Sequence, residues 1–390
     1  MPRRRFLKGA AALGAGSVAL PSARRARAVA TESAAASKPK LERRNEQAGI
    51  VYRRLGRTNF RVSALSIGGL GLSPARLALF DAAARHGVNF VMAHAGAGTK
   101  ALGEWFAKDK ANRKKLFLGL QASPGGVDHH LKVMKTEVID LVMMPVHNPK
   151  GVPREEIARS FEKARKEGKV RYLCLVFHSN LPAVWQAGIQ AGFYDVLLPT
   201  YNFTTRKALQ PLIAAAQRKD VGLLTMKAAG GLGKAGGKGA VSFASACKTF
   251  LADGVASVIK TMATAAELEK LLPVARSGGR VSPAKAASVN LTGQCTLCGA
   301  CGDCPEQVAI QDILRTYQYY AGDLGWVDEA YRQYAAIPAG RLASACTDCG
   351  RCEAVCPEGL PIRRLIRDVH FELELELARR QGPACPGESR

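Results

Sequence analysis

Two short stretches near the C-terminus, CTLCGACGDCP and CTDCGRCEAVCP, restrict the fold more than any other feature, because disulfides do not explain eight thiols at such spacing. The first runs C-x2-C-x2-C-x2-C-P through Cys295, Cys298, Cys301 and Cys304; the second runs C-x2-C-x2-C-x3-C-P through Cys346, Cys349, Cys352 and Cys356. Two-residue gaps let one curling loop aim successive thiolates at neighbouring irons of a cubane, and the proline after the last cysteine turns the chain away. Gly299 and Gly350 allow the backbone to come close to such a cluster. Paired four-cysteine zinc sites are the alternative, but they need neither a three-cysteine run nor a following proline. Of the 11 cysteines, Cys174, Cys247 and Cys385 stand apart; the first two read as core residues and the last falls in a polar tail.

The arrays resemble those of two-cluster ferredoxins. That resemblance implies two 4Fe-4S clusters with exchanged ligands: Cys295, Cys298 and Cys301 with Cys356, and Cys346, Cys349 and Cys352 with Cys304. The segment AIQDILRTYQYYAGDLGWVDEAYRQYAAI between the arrays is helical in period, its tyrosines and tryptophan reading as packing residues. FELELELARR reads as part of a terminal helix. A mostly helical ferredoxin-like domain over 281–376 is expected, followed by a polar tail over 377–390.

At the other end, RRRFLKG followed by AAALGAGSVAL has the form of a twin-arginine leader, with small residues at Ala26, Ala28 and Ala30 offering a cleavage site. Residues 1–30 are thus expected to be a signal peptide directing the chain to the periplasm. The apolar run is too short to span a bilayer, and no transmembrane segment is expected in the mature chain. Residues 31–47 are polar and aperiodic and read as a flexible spacer. The formal charge of +24 falls to +17 without the 7 basic residues of the leader, with +21 on residues 31–290 and −4 on residues 291–390. No stretch interleaves Lys and Arg with aromatics, so a nucleic-acid partner is not expected.

Over 48–280 short apolar runs alternate eight times with helical patterns, the sequence form of a (β/α)8 TIM barrel. The expected strands are LSIGG, VNFVM, LFLGL, IDLVMM, RYLCLV, DVLLP, VGLLTM and ASVIK, with helices over 75–86, 153–168, 206–219 and 264–275. A doubly wound open sheet is the other architecture, but IGGLGLS lacks the G-x-G-x-x-G spacing that its first turn usually carries. The fold class is therefore α/β, a barrel joined to a small cluster-binding domain.

YRRLGRTNFRVSALSIGG, HGVNF, VIDLVMMPVHN, VRYLCLVFHSN, YDVLLPTYNF and VGLLTMKAAGG follow one another like the landmarks of aldo/keto reductases, and the chain resembles the branch of that family with a C-terminal ferredoxin extension. The resemblance implies NADPH-dependent carbonyl reduction by a tetrad of Asp, Tyr, Lys and His. At the matching places this chain has Met92, Ala97, Gln121 and Pro145, with His147 two residues further on. Neither methionine nor alanine can donate the proton that the tyrosine supplies, and such general acid help is worth about 10² to 10⁴ in rate. The family's nicotinamide-binding positions correspond to Val176 and Leu198, its I-P-G to Ile259, Lys260 and Thr261, and its adenine-holding pair to Ala266 and Leu271. Tyr201, Asn202, Lys227, Lys260 and the glycine-rich AGGLGKAGGKG remain as cofactor-binding candidates, so that NADP(H) binding is doubtful while an anionic ligand stays admissible.

His94, His147 and His178 follow strands two, four and five at the face where barrels keep their sites, either as a metal or proton-shuttling group or as unrelated loop residues. Catalytic candidates are His94, His147, Gln121 and Tyr201, whereas His129 and His130 read as solvated residues of a surface helix. Three functions are open: electron transfer through the clusters with a redox partner and a small molecule at the barrel mouth; an NADPH-dependent reductase with a rebuilt site; or a non-catalytic barrel that docks a redox partner.

Overall fold

The computed structural model describes residues 40–232, 242–277 and 293–381. The leader, most of the spacer, Cys385 and the far part of the glycine-rich stretch lie outside the described residues. From Leu41 onward the chain forms one compact unit. Among the described residues no helix is long and apolar enough to cross a membrane.

A hairpin of β1 (Tyr52–Arg54) and β2 (Arg61–Ser63) precedes eight parallel strands: β3 (Leu65–Ile67), β4 (Phe90–His94), β5 (Phe117–Gln121), β6 (Ile139–Pro145), β7 (Val170–Phe177), β8 (Val196–Pro199), β9 (Gly222–Thr225) and β10 (Ser257–Lys260). They pair in chain order and close between β10 and β3, giving the expected barrel with every expected strand in place. Strands buried on both faces read as continuous apolar runs. On β4, Phe90 and Met92 join the cluster that fills the barrel, while Val91 and Ala93 join the layer under the helices. Gly119 is needed on β5 because a Cβ there would lie 2.7 Å from Met143 Sδ and 2.9 Å from Phe90 Cζ. Cys174 and Cys247 are buried core residues, as their sequence context suggests.

The expected helices form, with one change. The stretch over 206–219 is two helices, Phe203–Leu209 and Ile213–Arg218, split by a turn at Gln210–Leu212 where Pro211 interrupts the hydrogen-bond ladder. His129 is exposed on the helix Val127–Met134, as expected, whereas His130 is half-buried, its Nδ1 covered and without a hydrogen-bond partner among the described residues.

The hairpin plugs the N-terminal end of the barrel, where Phe60 stacks on Phe117 with ring centroids 4.3 Å apart. Here the spacer expectation needs correcting. Residues 41–47 are held against the plug: Glu42 N donates to Asn59 O at 2.9 Å, and Arg44 reaches Asp140 with Nη2 2.8 Å from Oδ1. The sequence signal was polar because these side chains pair with buried charge rather than with water.

The C-terminal module packs its own apolar cluster around Ile313, Leu314, Tyr334, Ile366 and Val369. Its helices are Ile310–Arg315, a π-helical segment Thr316–Asp323, Val327–Ala335 and Ile362–Gln381. The last of these runs into the stretch expected to be a polar tail. FELELELARR is helical as anticipated.

Candidate functional site

Curling loops carry both cysteine arrays. Gly299 and Gly350 take left-handed φ values of +92° and +74°, and a Cβ on Gly299 would sit 2.8 Å from Asn180 Oδ1. A cavity of about 330 Å3 is lined by Cys304, Cys346, Cys349 and Cys352, with Cys301 at its edge and Val308, Ile310 and Ile366 as apolar wall. Burial pushes the Cys295 thiol up to about 12, and Cys301, Cys298 and Cys356 add to the effect from close by. Cys301 is raised to about 12 in the same way, by burial and then by Cys298. Thiols crowded in this manner are poor acids on their own, and metal coordination is what deprotonates them. The two neighbourhoods therefore suit a pair of thiolate-held clusters. All ten described cysteines are free of disulfides, and among the described residues no three Cys, His, Asp or Glu side chains converge on a single-ion site.

The other site lies where the strands end. His94, Gln121 and Pro145 finish β4, β5 and β6; His147 and His178 follow β6 and β7; Lys227 follows β9, and Lys260 ends β10. All of them line one cavity of about 350 Å3, with Met92 and Met226 from the barrel interior. His94, His147, Gln121, Lys227 and Lys260, all candidates from the sequence, line this one mouth. The rings of His147 and His178 stack with centroids 5.2 Å apart, His178 N donates to His147 Nδ1 at 3.2 Å, and His178 Nδ1 lies 3.1 Å from Thr200 Oγ1.

Two candidates do not reach the mouth. Tyr201 is buried, donates from its hydroxyl to Asp253 Oδ2 at 2.8 Å and packs on Phe250, so it belongs to the layer outside the barrel. Asn202 caps the helix Phe203–Leu209, accepting from Thr204 N and Thr205 N, and donates from Nδ2 to Lys227 O at 3.0 Å. It supports the backbone of Lys227, which is held at a φ of 55°. Both side chains are engaged by protein hydrogen bonds, and Asn202 also lines a small cavity with Lys227 and Cys295. Ala97 is exposed at the start of the helix Ala97–Lys108.

The module builds the other half of the mouth. Arg315, Tyr319, Tyr320, Leu324, Trp326 and Gln333 line the same cavity, so the tyrosines and tryptophan are walls of a site as well as packing residues. The π-helical turn widens the spacing there and directs both tyrosines toward Lys227, whose Nζ lies 4.8 Å from the Tyr319 ring centroid, 4.2 Å from that of Tyr320 and 2.5 Å from the Tyr320 hydroxyl. Docking is specific: Gln311 exchanges two 2.8 Å hydrogen bonds with Asn180, Ser179 Oγ donates to Asp312 Oδ1 at 2.7 Å, and Leu181 N donates to Leu297 O at 3.2 Å. A lone arginine on the apolar face of QDILRTYQYY was the available sequence signal for Arg315.

The mouth is poor in negative charge. Burial pushes the pKa of His178 well below its ordinary value, with Lys227 and Arg315 adding to the effect; His147 and His94 shift the same way, again chiefly through burial. Lys227 is pushed well below the usual lysine value by burial and then by Arg315. Outside β10 a wider groove of about 770 Å3 runs between Lys260, Thr261, Glu267 and Leu271 on the barrel and Trp326, Asp328 and Glu329 on the module.

Residues 294–360 match the 4Fe-4S dicluster domain family. No curated protein matches the chain by sequence. Among solved structures, an aldo-keto reductase from Bacillus halodurans in its holo form is 17% identical, superposes with a TM-score of 0.50, and matches 62% of this chain and 95% of its own. The N-terminal barrel has the aldo/keto reductase fold. A protein from Pseudomonas aeruginosa described as an aldo-keto reductase is 20% identical with a TM-score of 0.49, over 59% of this chain and 96% of its own. In this chain the C-terminal module forms the outer wall of the barrel mouth.

Proposed function

We propose that this chain is an exported iron-sulfur oxidoreductase in which two 4Fe-4S clusters exchange electrons with a small molecule at the barrel mouth and with a redox partner protein. Carbonyl reduction by the aldo/keto reductase tetrad is not part of the reading, since Met92, Ala97, Gln121 and Pro145 stand at its places. Cys295, Cys298, Cys301 and Cys356 would hold one cluster, and Cys346, Cys349, Cys352 and Cys304 the other. A bound cluster supplies one-electron transfer.

One observation carries the reading: Cys295 shares a small cavity with Lys227, Arg315 and Tyr319, and those same three side chains line the mouth. A single layer of side chains separates the first cysteine array from the site. His147 and His178, kept neutral by burial, are placed to take up or release protons there.

A second reading, a rebuilt NADPH-dependent reductase, is favoured by the Lys227 and Tyr320 pair, a lysine beside a phenol that enters from a different element than the family's own. The groove beside β10 does not decide between them, since Arg76, Lys260, Lys270 and Arg332 line it together with Glu267, Asp328 and Glu329. Anaerobic titration of cluster-loaded protein with NADPH separates the two. The electron-transfer reading expects no enhanced nicotinamide fluorescence and no cluster bleaching, but full bleaching by dithionite and reoxidation by dyes. Bleaching by NADPH would replace it with the reductase reading, and survival of a measured dye-linked activity in Cys298→Ser and Cys349→Ser would remove the clusters from the mechanism.

Export belongs to the same proposal and rests on residues 1–30. A reporter fused to residues 1–47 is expected to reach the periplasm, and replacing Arg3 and Arg4 by Lys is expected to stop it.

A further inference from the structure

We infer that the barrel mouth is a binding site for a small molecule carrying an oxyanion group, a carboxylate or phosphate, and that Arg315 of the cluster module is its principal anchor. The inference rests on the reading of the mouth as the substrate site and adds the chemical class of what enters it. Arg315 has a side-chain exposure of 9%, yet its Nε and Nη1 have no hydrogen-bond partner among the described residues. Its Nη2 pairs with Asp312 Oδ1 at 3.3 Å, and the guanidinium also interacts with the Tyr320 hydroxyl at the mouth. A guanidinium carries five donors, and leaving donors of a buried cation unpaired is costly. Arg315 lines the mouth, so a ligand there can supply the missing acceptors.

The rest of the lining agrees. Lys227, Lys260 and three histidines face the cavity with Arg315, whereas no acidic side chain is among the described residues that line it. The two nearest carboxylates are already engaged. Asp312 accepts from Ser179 Oγ at 2.7 Å, and Glu329 pairs with Arg332 at 2.7 Å and accepts from Gln333 Nε2 at 2.8 Å. The depressed pKa values of Lys227, Lys260 and His178 have burial as their leading cause, and a bound anion would relieve all three. At about 350 Å3 the cavity sits near the lower end of ligand pockets, which run from about 300 to 1,000 Å3, and has room for a small anion beside Arg315.

The test uses cluster-loaded, oxidised protein without any electron donor, titrated with succinate, inorganic phosphate or uncharged succinamide at low ionic strength. Calorimetry gives the binding constant, and the fluorescence of Trp326 at the mouth gives its location. Saturable 1:1 binding of succinate or phosphate is expected, with succinamide inert; which anion binds identifies the oxyanion. Arg315→Gln is expected to weaken binding by roughly tenfold to a hundredfold, with Arg315→Lys between, while cluster absorbance stays the same in all. Failure of both anions to bind, or equal binding by Arg315→Gln, overturns the inference. So does a shift in cluster potential in Arg315→Gln without weaker anion binding, because the guanidinium then serves the cluster. No electron moves in these measurements, so their failure leaves the electron-transfer reading to stand or fall by the NADPH and dye titrations.

Discussion

At the N-terminal end of the barrel, Arg44, Arg113 and Arg171 converge on Asp140, a fully buried carboxylate on β6 that also accepts from Leu118 N at 2.9 Å. At the C-terminal end of the same strands, Arg315, Lys227 and Lys260 face a cavity with no acid among the described residues that line it. Both ends bury cations in a chain whose body is strongly basic. The lower group is complete: burial raises the Asp140 pKa, but Arg113 and Arg44 overcome that and hold the carboxyl below its ordinary value. The upper group is compensated only in part, by Asp312 at 3.3 Å from Arg315. In barrels the bottom face serves stability and the top face serves chemistry, and here the difference is whether the charges are closed on one another.

The largest expected effect tests the closed end. Asp140→Asn removes the carboxylate that three arginines share, leaving half-buried Arg113 without an ion-pair partner among the described residues while Arg44 and Arg171 keep Glu42. Loss of one partner of such a network costs about 3–5 kcal/mol. Urea denaturation of cluster-loaded protein should show that loss with no change in anion binding at the mouth. A loss under about 1 kcal/mol would mean that solvent reaches these arginines and that the two ends do not differ as described.

Acid should then open the two ends in order. His178 and His147 have folded pKa values below their unfolded value of 6.5, so the unfolded chain takes up protons first and stability falls as pH drops below about 6.5. Asp140 has a folded pKa below its unfolded value of 3.8, so its contribution is fully present above that value and is lost only at lower pH. Stability measured from pH 8 to pH 4 should therefore decline first through the mouth, and His178→Asn should flatten the upper part of the decline. An unaltered profile in His178→Asn would show that the stacked histidines are not buried neutral.

How far this contrast could be read from sequence depends on what each part needs. All eight strands were legible because a strand covered on both faces is apolar at every position, and the eight cysteines because cluster geometry fixes their spacing. His94, His147 and Gln121 were located because they sit at strand ends, and the barrel brings strand ends together. Tyr201 also follows a strand, yet its ring turns outward to Phe250 and Asp253; position along the chain does not determine that choice. Arg315 comes from the module, 88 residues after Lys227, and no local pattern announces a cross-domain wall. Asp140 was a single acid in an otherwise apolar strand, a signal that went unread because its partners Arg44 and Arg113 lie far away in sequence.

The smallest expected effect is the sharpest on the comparison itself. Arg315→Leu deletes a buried cation, as Asp140→Asn deletes a buried anion, but here few bonds are lost. Asp312 keeps its hydrogen bond from Ser179, and the two orphaned nitrogens have no protein partner to leave behind. Deleting a buried cation whose donors lack partners also removes its desolvation cost, which offsets the 3.3 Å contact that Asp312 loses. Folding stability without ligand should therefore hold or rise, while the stabilisation that succinate or phosphate gives the unsubstituted protein should vanish, since a ligand that binds only the folded state raises its stability in proportion to occupancy. A loss of about 3 kcal/mol in Arg315→Leu would make this arginine a structural tie of the same kind as those around Asp140. Both ends of the barrel would then be closed, and the positive mouth would have to be explained by the clusters rather than by a ligand.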